Sequence, residues 1–344
     1  MPLTDSDLVD LGKAVLKDLG RLKFNQIATT LQKYEVMSRI MRKDKVQFDG
    51  GNGIQRNIMV DHSNAAKQVG LFEEDTLNVG DVLAQMDIPW RHTTTNYAYE
   101  RHEILVAQGD AEKVVDIIKV RRIDAMISLA KLMEEQFWSK PLTSADKLEV
   151  FGVPYWVCKN AATGFNGGDP AGFASGAGNM AVADYPRWQN YTAQYTAVTK
   201  ADLIKSMRKA YRQIQFESPV DIPDYRNGRG DQFRLYVNED TLETMEDVGE
   251  AANENLGRDL APFDDTITFR RNPIVWVPFL DDDTSDPVYM INFAWFYPVF
   301  LKGDYLRETD PKIAAKQHNV FEVFVDCTWN LLCTDRRSQA VLSK

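Results

Sequence analysis

Four aspartates in one short segment are the residues best suited to bind a metal ion: Asp281, Asp282, Asp283 and Asp286. Clustered carboxylates supply the oxygen ligands that hard divalent cations prefer. The segment lacks the glycine and the terminal glutamate of a calcium-binding EF-hand loop, and it separates two apolar runs that are typical of strands. We therefore predict a solvated acidic turn and no metal site. A metal-dependent hydrolase built around this turn and one of the histidines stays open as an alternative.

The remaining residue patterns give no enzyme motif. Neither a Gly-x-Ser-x-Gly nucleophile turn nor a GxxxxGK[ST] phosphate-binding loop occurs. Gly176 to Ala181 matches a GxGxxA dinucleotide pattern, but no strand leads into it, which argues against a Rossmann site. The sequence therefore predicts no catalytic residue and no cofactor. Histidines in polar surroundings are His62, His92, His102 and His318, and cysteines expected as buried free thiols are Cys158, Cys327 and Cys333.

Composition and charge restrict the class of protein. With 344 residues, 44% of them hydrophobic, the chain can bury one or two ordinary cores. No apolar run is long enough to cross a membrane and the first residues lack the features of a signal peptide, so we expect the protein to stay in the cell that makes it. Residues 239–310 hold 17 acidic against 5 basic residues, a local charge of −12 within a net charge of −10. Such an acidic chain does not fit a sequence-specific nucleic-acid binder.

The longest regular pattern lies between Asp110 and Lys140. The stretch contains no proline or glycine, Asp110 can cap its start and Pro141 ends it, so we predict one helix over 110–140, about 45 Å long. Its apolar residues form two faces, which predicts packing on two sides. The first face holds Val115, Ile118, Met126, Leu129, Met133 and Phe137, and the second holds Val114, Ile117, Ile123, Ile127, Ala130 and Trp138.

The stretch before this helix predicts an edge hairpin without a core of its own. Residues 82–90 alternate between two faces, and a second strand is predicted from Tyr97 to Val106 after a polar turn. Isolated two-stranded hairpins are marginal in water, so we expect a neighbouring copy of the chain to hold this one. The candidate contact residues are Asp87, Trp90, Arg91, Arg101 and Glu103.

Residues 1 to about 75 predict an arm that packs on another body. A short amphipathic helix is expected first, followed by a second helical pattern and then by a polar, glycine-rich stretch from Asp44 to Gly70. A small helical subdomain is the alternative. The inner residues of the first helix are Leu8, Leu11, Val15 and Leu19, and those of the second are Ile27, Leu31 and Met37.

Beyond the long helix, strand and helix patterns alternate. Phe321 to Cys333 is an unbroken alternation of apolar and mainly polar residues, which should return the C-terminus to a sheet formed earlier. Phe151 to Cys158 predicts a buried strand. The other expected elements are a glycine-rich loop at 163–178, a helix at 199–214, a strand at 233–237, a helix capped by Asn238, and strands at 274–280 and 288–296.

In their order, these parts resemble the HK97-like major capsid protein of tailed bacteriophages. The resemblance rests on VGDVLAQMDIPWRHTTTNYAYERHEILVAQ as the extended loop, on GDAEKVVDIIKVRRIDAMISLAKLMEEQFW as the spine helix and on HNVFEVFVDCTWNLLCTDRRSQAVL as the closing strand. It implies an α+β fold with an N-terminal arm (1–75), an extended hairpin loop (76–108), a peripheral domain with the spine helix (109–230), an axial domain (231–310) and a return strand (311–344).

The resemblance also implies a function. It predicts a structural protein without enzymatic activity that forms the hexamers and pentamers of an icosahedral head, encloses the DNA genome and is made in the host cytoplasm. The expected partners are further copies of the chain, a separate scaffolding protein, a portal and a cement protein. The five candidate residues of the hairpin would then lie in contacts between copies. An encapsulin-type compartment with the same fold is the alternative.

One departure concerns covalent crosslinking. In the namesake, a lysine of the extended loop forms an isopeptide bond with an asparagine of another subunit. Residues 76–108 contain no lysine, so we expect no such crosslink from this loop. The predicted N-terminal helix is also short, so we expect scaffolding to come from another polypeptide.

Overall fold

The computed structural model describes residues 35–41, 46–61, 68, 82–106, 111–215, 233–251, 267–270, 272–317 and 319–344. The long helix predicted over 110–140 is confirmed and has 28 residues, which corresponds to about 42 Å. The helix predicted over 199–214 is also present, and its inner residues are buried. In the described part of the chain, the α-helices are α1 (Glu35–Ile40), α2 (Arg101–Val106), α3 (Ala111–Trp138), α4 (Val153–Trp156), α5 (Leu203–Gln213) and α6 (Glu239–Ala251).

The described strands form sheets of six, seven and two strands. Short 3₁₀ turns at Pro278–Leu280 and Arg336–Ser338 precede β10 and β15. The strands are β1 (Gln47–Asp49), β2 (Ile54–Met59), β3 (Leu83–Ile88), β4 (Arg91–Glu100), β5 (Gly164–Gly167), β6 (Asn190–Gln194), β7 (Phe233–Val237), β8 (Thr268–Phe269), β9 (Asn272–Trp276), β10 (Val288–Asn292), β11 (Phe296–Leu301), β12 (Arg307–Glu308), β13 (Lys312–Ile313), β14 (Val320–Cys333) and β15 (Ala340–Ser343).

Strand β14 organises the six-stranded sheet. It is 14 residues long and pairs antiparallel with β4 over ten residue pairs, from Arg91 opposite Trp329 to Glu100 opposite Val320. Its C-terminal half also pairs with β11, and β11 in turn pairs in parallel with β1. Strands β12 and β13 add to β14 as well. The prediction that the last long strand returns to a sheet formed earlier is confirmed.

The seven-stranded sheet has the order β5-β6-β15-β10-β7-β9-β8. Its C-terminal strand β15 lies between β6, to which it is parallel, and β10, to which it is antiparallel. The sheet therefore combines strands from both sides of the expected domain boundary at residue 230. Asn238 accepts a hydrogen bond from the backbone N–H of Thr241 at the start of α6, which confirms the predicted cap.

The predicted pairing of the edge hairpin is wrong. Strand β3 pairs with β2, which precedes it, whereas β4 pairs with β14 and the residues from Arg101 to Val106 are helical. A single strand pattern shows which side chains share a face but not which strand lies beside it, and both true partners are distant in sequence. The two-stranded element therefore consists of Ile54–Met59 and Leu83–Ile88.

The predicted strand from Phe151 to Cys158 is also wrong, although the segment is buried as expected. Its centre is the one-turn helix α4, which has a proline within its first two positions. A short apolar run fits a buried strand and a buried helical turn equally well, so periodicity alone does not separate them. The local backbone is set by Gly152, where a Cβ atom would lie 2.1 Å from the Ser139 carbonyl oxygen and 2.5 Å from that of Phe137.

Two hydrophobic clusters form the core of the described chain. The larger surrounds α3 and includes residues of α1, β3, α4, β11 and β14. The smaller lies between α5 and the seven-stranded sheet, with contributions from β6, β7, β10 and β15. Cys158, Cys327 and Cys333 are buried free thiols, as expected. Among the described helices, none combines the length and the apolar character needed to cross a membrane.

The first amphipathic helix of the predicted arm, with Leu8 to Leu19, lies outside the described residues. Of the second helical pattern, Ile27 and Leu31 are likewise outside, whereas Met37 is buried in α1. The arm is therefore described only from Glu35 onward. There, Val36, Met37, Ile40 and Met41 belong to the larger core cluster.

Candidate assembly surface

The two-stranded sheet of β2 and β3 has one buried and one exposed face. Ile54 pairs with Ile88 and Met59 pairs with Leu83, and alternation along the strands separates the two faces. On the exposed face, Met59 and Leu83 leave 59% and 60% of their surface accessible. A cross-strand pair of exposed apolar side chains is typical of a contact surface. The buried face consists of Ile54, Ala84, Met86 and Ile88.

Several contacts attach this sheet to the rest of the subunit, and two of the predicted contact residues take part in them. Met86 is buried against Gly178, where a Cβ atom would lie 2.5 Å from the Met86 sulfur. The Asp87 backbone N–H donates to the Gly178 carbonyl oxygen at 3.2 Å, and the Asp87 side chain is exposed. The half-buried Trp90 donates its indole N–H to the Gly51 carbonyl oxygen at 3.0 Å. Asp87 and Trp90 thus lie together near the Ile88 end of β3.

Arg91 is an internal brace, which corrects its prediction as an exposed contact. Its side chain is buried, and its guanidinium donates to the carbonyl oxygens of Glu149 at 2.9 Å and Asp146 at 2.8 Å. The guanidinium carbon also lies 5.3 Å from the centre of the Phe151 ring. Burial lowers the pKa of Arg91 from its ordinary value. The residue therefore positions the loop after α3 within its own subunit.

Arg101 and Glu103 lie at the other end of β4, about 30 Å from Arg91 at ~3.3 Å per strand residue. The Arg101 backbone N–H donates to the Asn319 carbonyl oxygen at 2.8 Å. Glu103 accepts a hydrogen bond from Arg121 on α3 at 2.6 Å, and this bond holds the pKa of the Glu103 carboxyl below its ordinary value. The five predicted contact residues therefore form two groups, not one patch.

The second apolar face predicted for α3 is only partly covered. Of its predicted residues, Ala130 and Trp138 are buried, but Ile123 and Ile127 are 39% and 38% exposed. Val120, which was not assigned to this face, is 66% exposed beside them. These three residues, spaced by three and four, form one row along the helix, which we call the helix stripe. The loop that follows α3 adds two further exposed apolar residues, Leu142 and Leu148, both 80% exposed.

Two charged groups on α3 were not identified by sequence reasoning. Arg122 forms an ion pair with Glu308 of β12 at 2.6 Å, with both side chains largely buried. Glu134 is buried and accepts hydrogen bonds from the Met37 backbone N–H at 2.8 Å and from the Trp138 indole N–H at 3.1 Å. The available signal for Glu134 was its position beside the buried apolar residues of the helix, where a carboxylate needs a partner.

The acidic turn uses its carboxylates within the protein. Asp281 accepts hydrogen bonds from the Trp276 indole N–H and the Glu239 backbone N–H, and Asp286 contacts Lys344 at 3.0 Å. Burial works to raise the pKa of Asp283, but hydrogen bonds from Lys159 and Ser285 outweigh it and keep that pKa below its ordinary value. Among the described residues, no group of three or more potential ligands could hold a metal ion.

Comparison with known proteins identifies the fold. No protein-family model and no curated protein matches this chain. Solved structures do match it. The cyanophage A-1(L) capsid asymmetric unit is 13% identical with a TM-score of 0.60, and the alignment covers 89% of this chain and 92% of that one. The capsid of the native GTA particle is 11% identical with a TM-score of 0.50, covering 91% of both chains. The chain therefore has the α+β, HK97-like fold of these proteins, as predicted.

Proposed function

We propose that this chain is a major capsid protein that assembles through hexamers and pentamers into an icosahedral head. The observation that carries the proposal is the agreement of fold over about nine-tenths of the chain with the capsid of cyanophage A-1(L). The agreement extends over most of both chains, so the whole described architecture is shared, not one common substructure. The protein would accordingly be located in the virion and be made in the host cytoplasm.

The surface of the described subunit supports contacts with further copies. Within the described residues, β2 and β3 form no ladder with another strand, so edge backbone groups other than the Asp87 N–H, which bonds Gly178, are available to a neighbour. The exposed pair Met59 and Leu83 lies on the same element, and the braced loop presents Leu142 and Leu148. A ring of identical subunits requires two different surfaces that fit each other, and we propose these two exposed apolar surfaces as that pair.

The charge of the chain supports enclosure of DNA without tight binding. The net charge of −10 gives an overall repulsion between the protein and phosphates, so packaged DNA would not bind tightly to the wall. Scaffolding protein, portal and cement protein complete the proposed set of partners.

An encapsulin-type compartment would share the fold and differ in its contents. The engaged carboxylates of the acidic turn give no support to a hydrolase.

Sedimentation and electron microscopy of the purified protein test this proposal. We expect closed shells that sediment far ahead of the 39.2 kDa subunit and appear as icosahedral particles in negative stain. Shells isolated from the native particle should contain nuclease-protected DNA and not an enzyme. A protein that remains a monomer or a small oligomer at every concentration and salt condition would contradict the assembly, and a protein cargo would favour the encapsulin alternative.

A further inference from the structure

Met59 is the exception among the described methionines. Its side chain leaves 59% of its surface accessible, whereas the other nine methionines that the structure describes are at most 7% exposed. A thioether usually lies inside a protein, where its flexible apolar chain fills gaps in the core. The exposure of Met59 therefore does not follow from core packing. The nine buried methionines are Met37, Met41, Met86, Met126, Met133, Met180, Met207, Met245 and Met290.

The position of Met59 is fixed by strand pairing. Met59 is the last residue of β2 and lies opposite Leu83, the first residue of β3. The pairing continues beyond it, where the Val60 backbone N–H donates to the Val82 carbonyl oxygen at 2.9 Å. The exposure of Met59 is therefore a property of a paired strand whose alternate side chains point away from the core.

The exposed face of the two-stranded sheet is otherwise polar. The Gln85 side-chain amide donates to the Gln55 amide oxygen across the strands at 3.3 Å. The other exposed side chains of β2 and β3 are Gln55, Asn57, Gln85 and Asp87. A chemical change that made the Met59 side chain polar would therefore leave Leu83 as the only exposed apolar residue of this sheet.

We propose that Met59 is a site of selective sulfoxidation by hydrogen peroxide in the unassembled subunit. The thioether sulfur attacks one peroxide oxygen, so that an S–O bond forms while the O–O bond breaks, and the other oxygen leaves as water after proton transfer. The sulfur is oxidised and the peroxide is reduced to water. The product is a polar sulfoxide in place of an apolar side chain, and methionine sulfoxide reductases reverse the change.

The cysteines do not compete for the oxidant. Cys158, Cys327 and Cys333 are buried free thiols. Burial raises the pKa of each thiol, to about 12 for Cys327, so little of the reactive thiolate forms near neutral pH. Among the sulfur atoms of the described residues, that of Met59 is therefore the most accessible to peroxide.

Oxidation of dissociated subunits with dilute hydrogen peroxide tests the site. Met86 is the internal control, because it lies on the opposite, buried face of the same sheet. We expect the Met59 sulfoxide to form at least about tenfold faster than the Met86 sulfoxide. Peptide mass spectrometry after increasing exposure times measures both rates. Similar rates at the two residues, or a faster reaction at any buried methionine, would overturn the proposal.

The effect of the sulfoxide on assembly rests on the proposed function. Peroxide-treated subunits should form severalfold fewer shells, because the apolar pair of Met59 and Leu83 becomes partly polar, and a mixture of methionine sulfoxide reductases should restore the yield. Met59→Leu keeps an apolar side chain and should assemble equally well with and without peroxide. Met86→Leu keeps Met59 and should remain sensitive.

The outcomes separate this inference from the proposed function. If peroxide lowered the shell yield of Met59→Leu as much as that of the unchanged protein, Met59 oxidation would not be the cause of the loss. Untreated protein that formed no shells would contradict the proposed function instead. The relative oxidation rates of Met59 and Met86 are measured on subunits in either case, and they decide whether Met59 is the modified site.

Discussion

Buried charged side chains hold the irregular segments of this protein. Arg336 is fully buried, and its guanidinium donates to the carbonyl oxygens of Trp156 at 2.8 Å, Trp188 at 2.9 Å and Gly168 at 2.8 Å. Arg91 does the same for the loop after α3. A planar guanidinium has five donors and can join several backbone segments at once. These arginines therefore connect segments that have few backbone partners of their own.

Replacement of Arg336 should be strongly destabilising. In Arg336→Leu, three carbonyl oxygens lose their donor, two of them in buried hydrogen bonds, and we expect the free energy of unfolding to fall by about 3 kcal/mol or more. The neighbouring exposed Arg337 contacts the Phe165 ring and provides the control, because Arg337→Leu should cost less than about 1 kcal/mol. Urea unfolding followed by tryptophan fluorescence measures both. Similar losses in the two variants would contradict the role of Arg336.

Two glycines should respond to the same substitution with opposite signs. Gly152→Ala places a methyl group against three backbone carbonyls at the end of α3, and we expect a loss of about 3 kcal/mol or failure to fold. Gly249 is exposed within α6 with nothing within 4 Å, so Gly249→Ala should raise stability by about 0.5–1 kcal/mol. Thermal unfolding of both variants checks the prediction. A stable Gly152→Ala protein would show that α4 does not require this close approach.

At the scale of elements, the sheet of β2 and β3 packs one face on the core and leaves the other face exposed. Trp90→Ala removes an attachment to Gly51, and Arg101→Glu reverses a charge near the Glu103–Arg121 pair. Both monomers should remain folded, with near-native circular dichroism, but form severalfold fewer shells. Trp90→Phe, which keeps an aromatic ring, is the control and should assemble better than Trp90→Ala. Normal particles from both Trp90→Ala and Arg101→Glu would show that this region is not part of the assembly contact.

Local patterns predicted elements, whereas long-range pairing required the structure. Helix α3, helix α5 and strand β14 each follow from a sustained period in the sequence. The pairing of β3 with β2 does not, because the two strands are separated by 23 residues that carry no sustained pattern. Strand β4 was equally misleading. Two of its buried side chains, Arg91 and Thr93, are polar. The residue types of β4 are therefore those expected of a solvent-exposed edge strand, although the strand lies in a sheet beside β14.

The same limit applies to the candidate contacts. Asp87 and Trp90 lie near the Ile88 end of β3, and Arg101 and Glu103 lie at the far end of β4. Arg91 donates to backbone carbonyls of a loop more than fifty residues away. Every residue has a backbone carbonyl, so the sequence does not indicate which ones accept these hydrogen bonds. The sequence pattern therefore could not separate inward from outward charges within this region, and its role in contacts between copies stays a prediction.

At the scale of the whole molecule, negative charge is concentrated in residues 239–310, which supply β9 and β10 to the seven-stranded sheet. Residues 239–310 carry a local charge of −12, and they include α6, whose Glu243, Glu246 and Asp247 are exposed. We predict that in the proposed rings of subunits this segment faces other copies, so that assembly would bring these like charges together. Like charges brought together oppose association, and dissolved salt weakens that opposition.

Shell yield should therefore rise with salt, for example between about 20 and 150 mM, as the screening length falls below about 10 Å. The triple variant Glu243→Gln, Glu246→Gln and Asp247→Asn lowers the local charge to −9 and should assemble at lower salt. The matched control neutralises Asp124, Glu135 and Asp184, exposed acids outside this segment, and should shift the dependence less. Light scattering during dilution into salt measures all three proteins. A yield that falls with salt would mean that attraction between opposite charges, such as those at Arg101 and Glu103, outweighs the repulsion of the acidic segment.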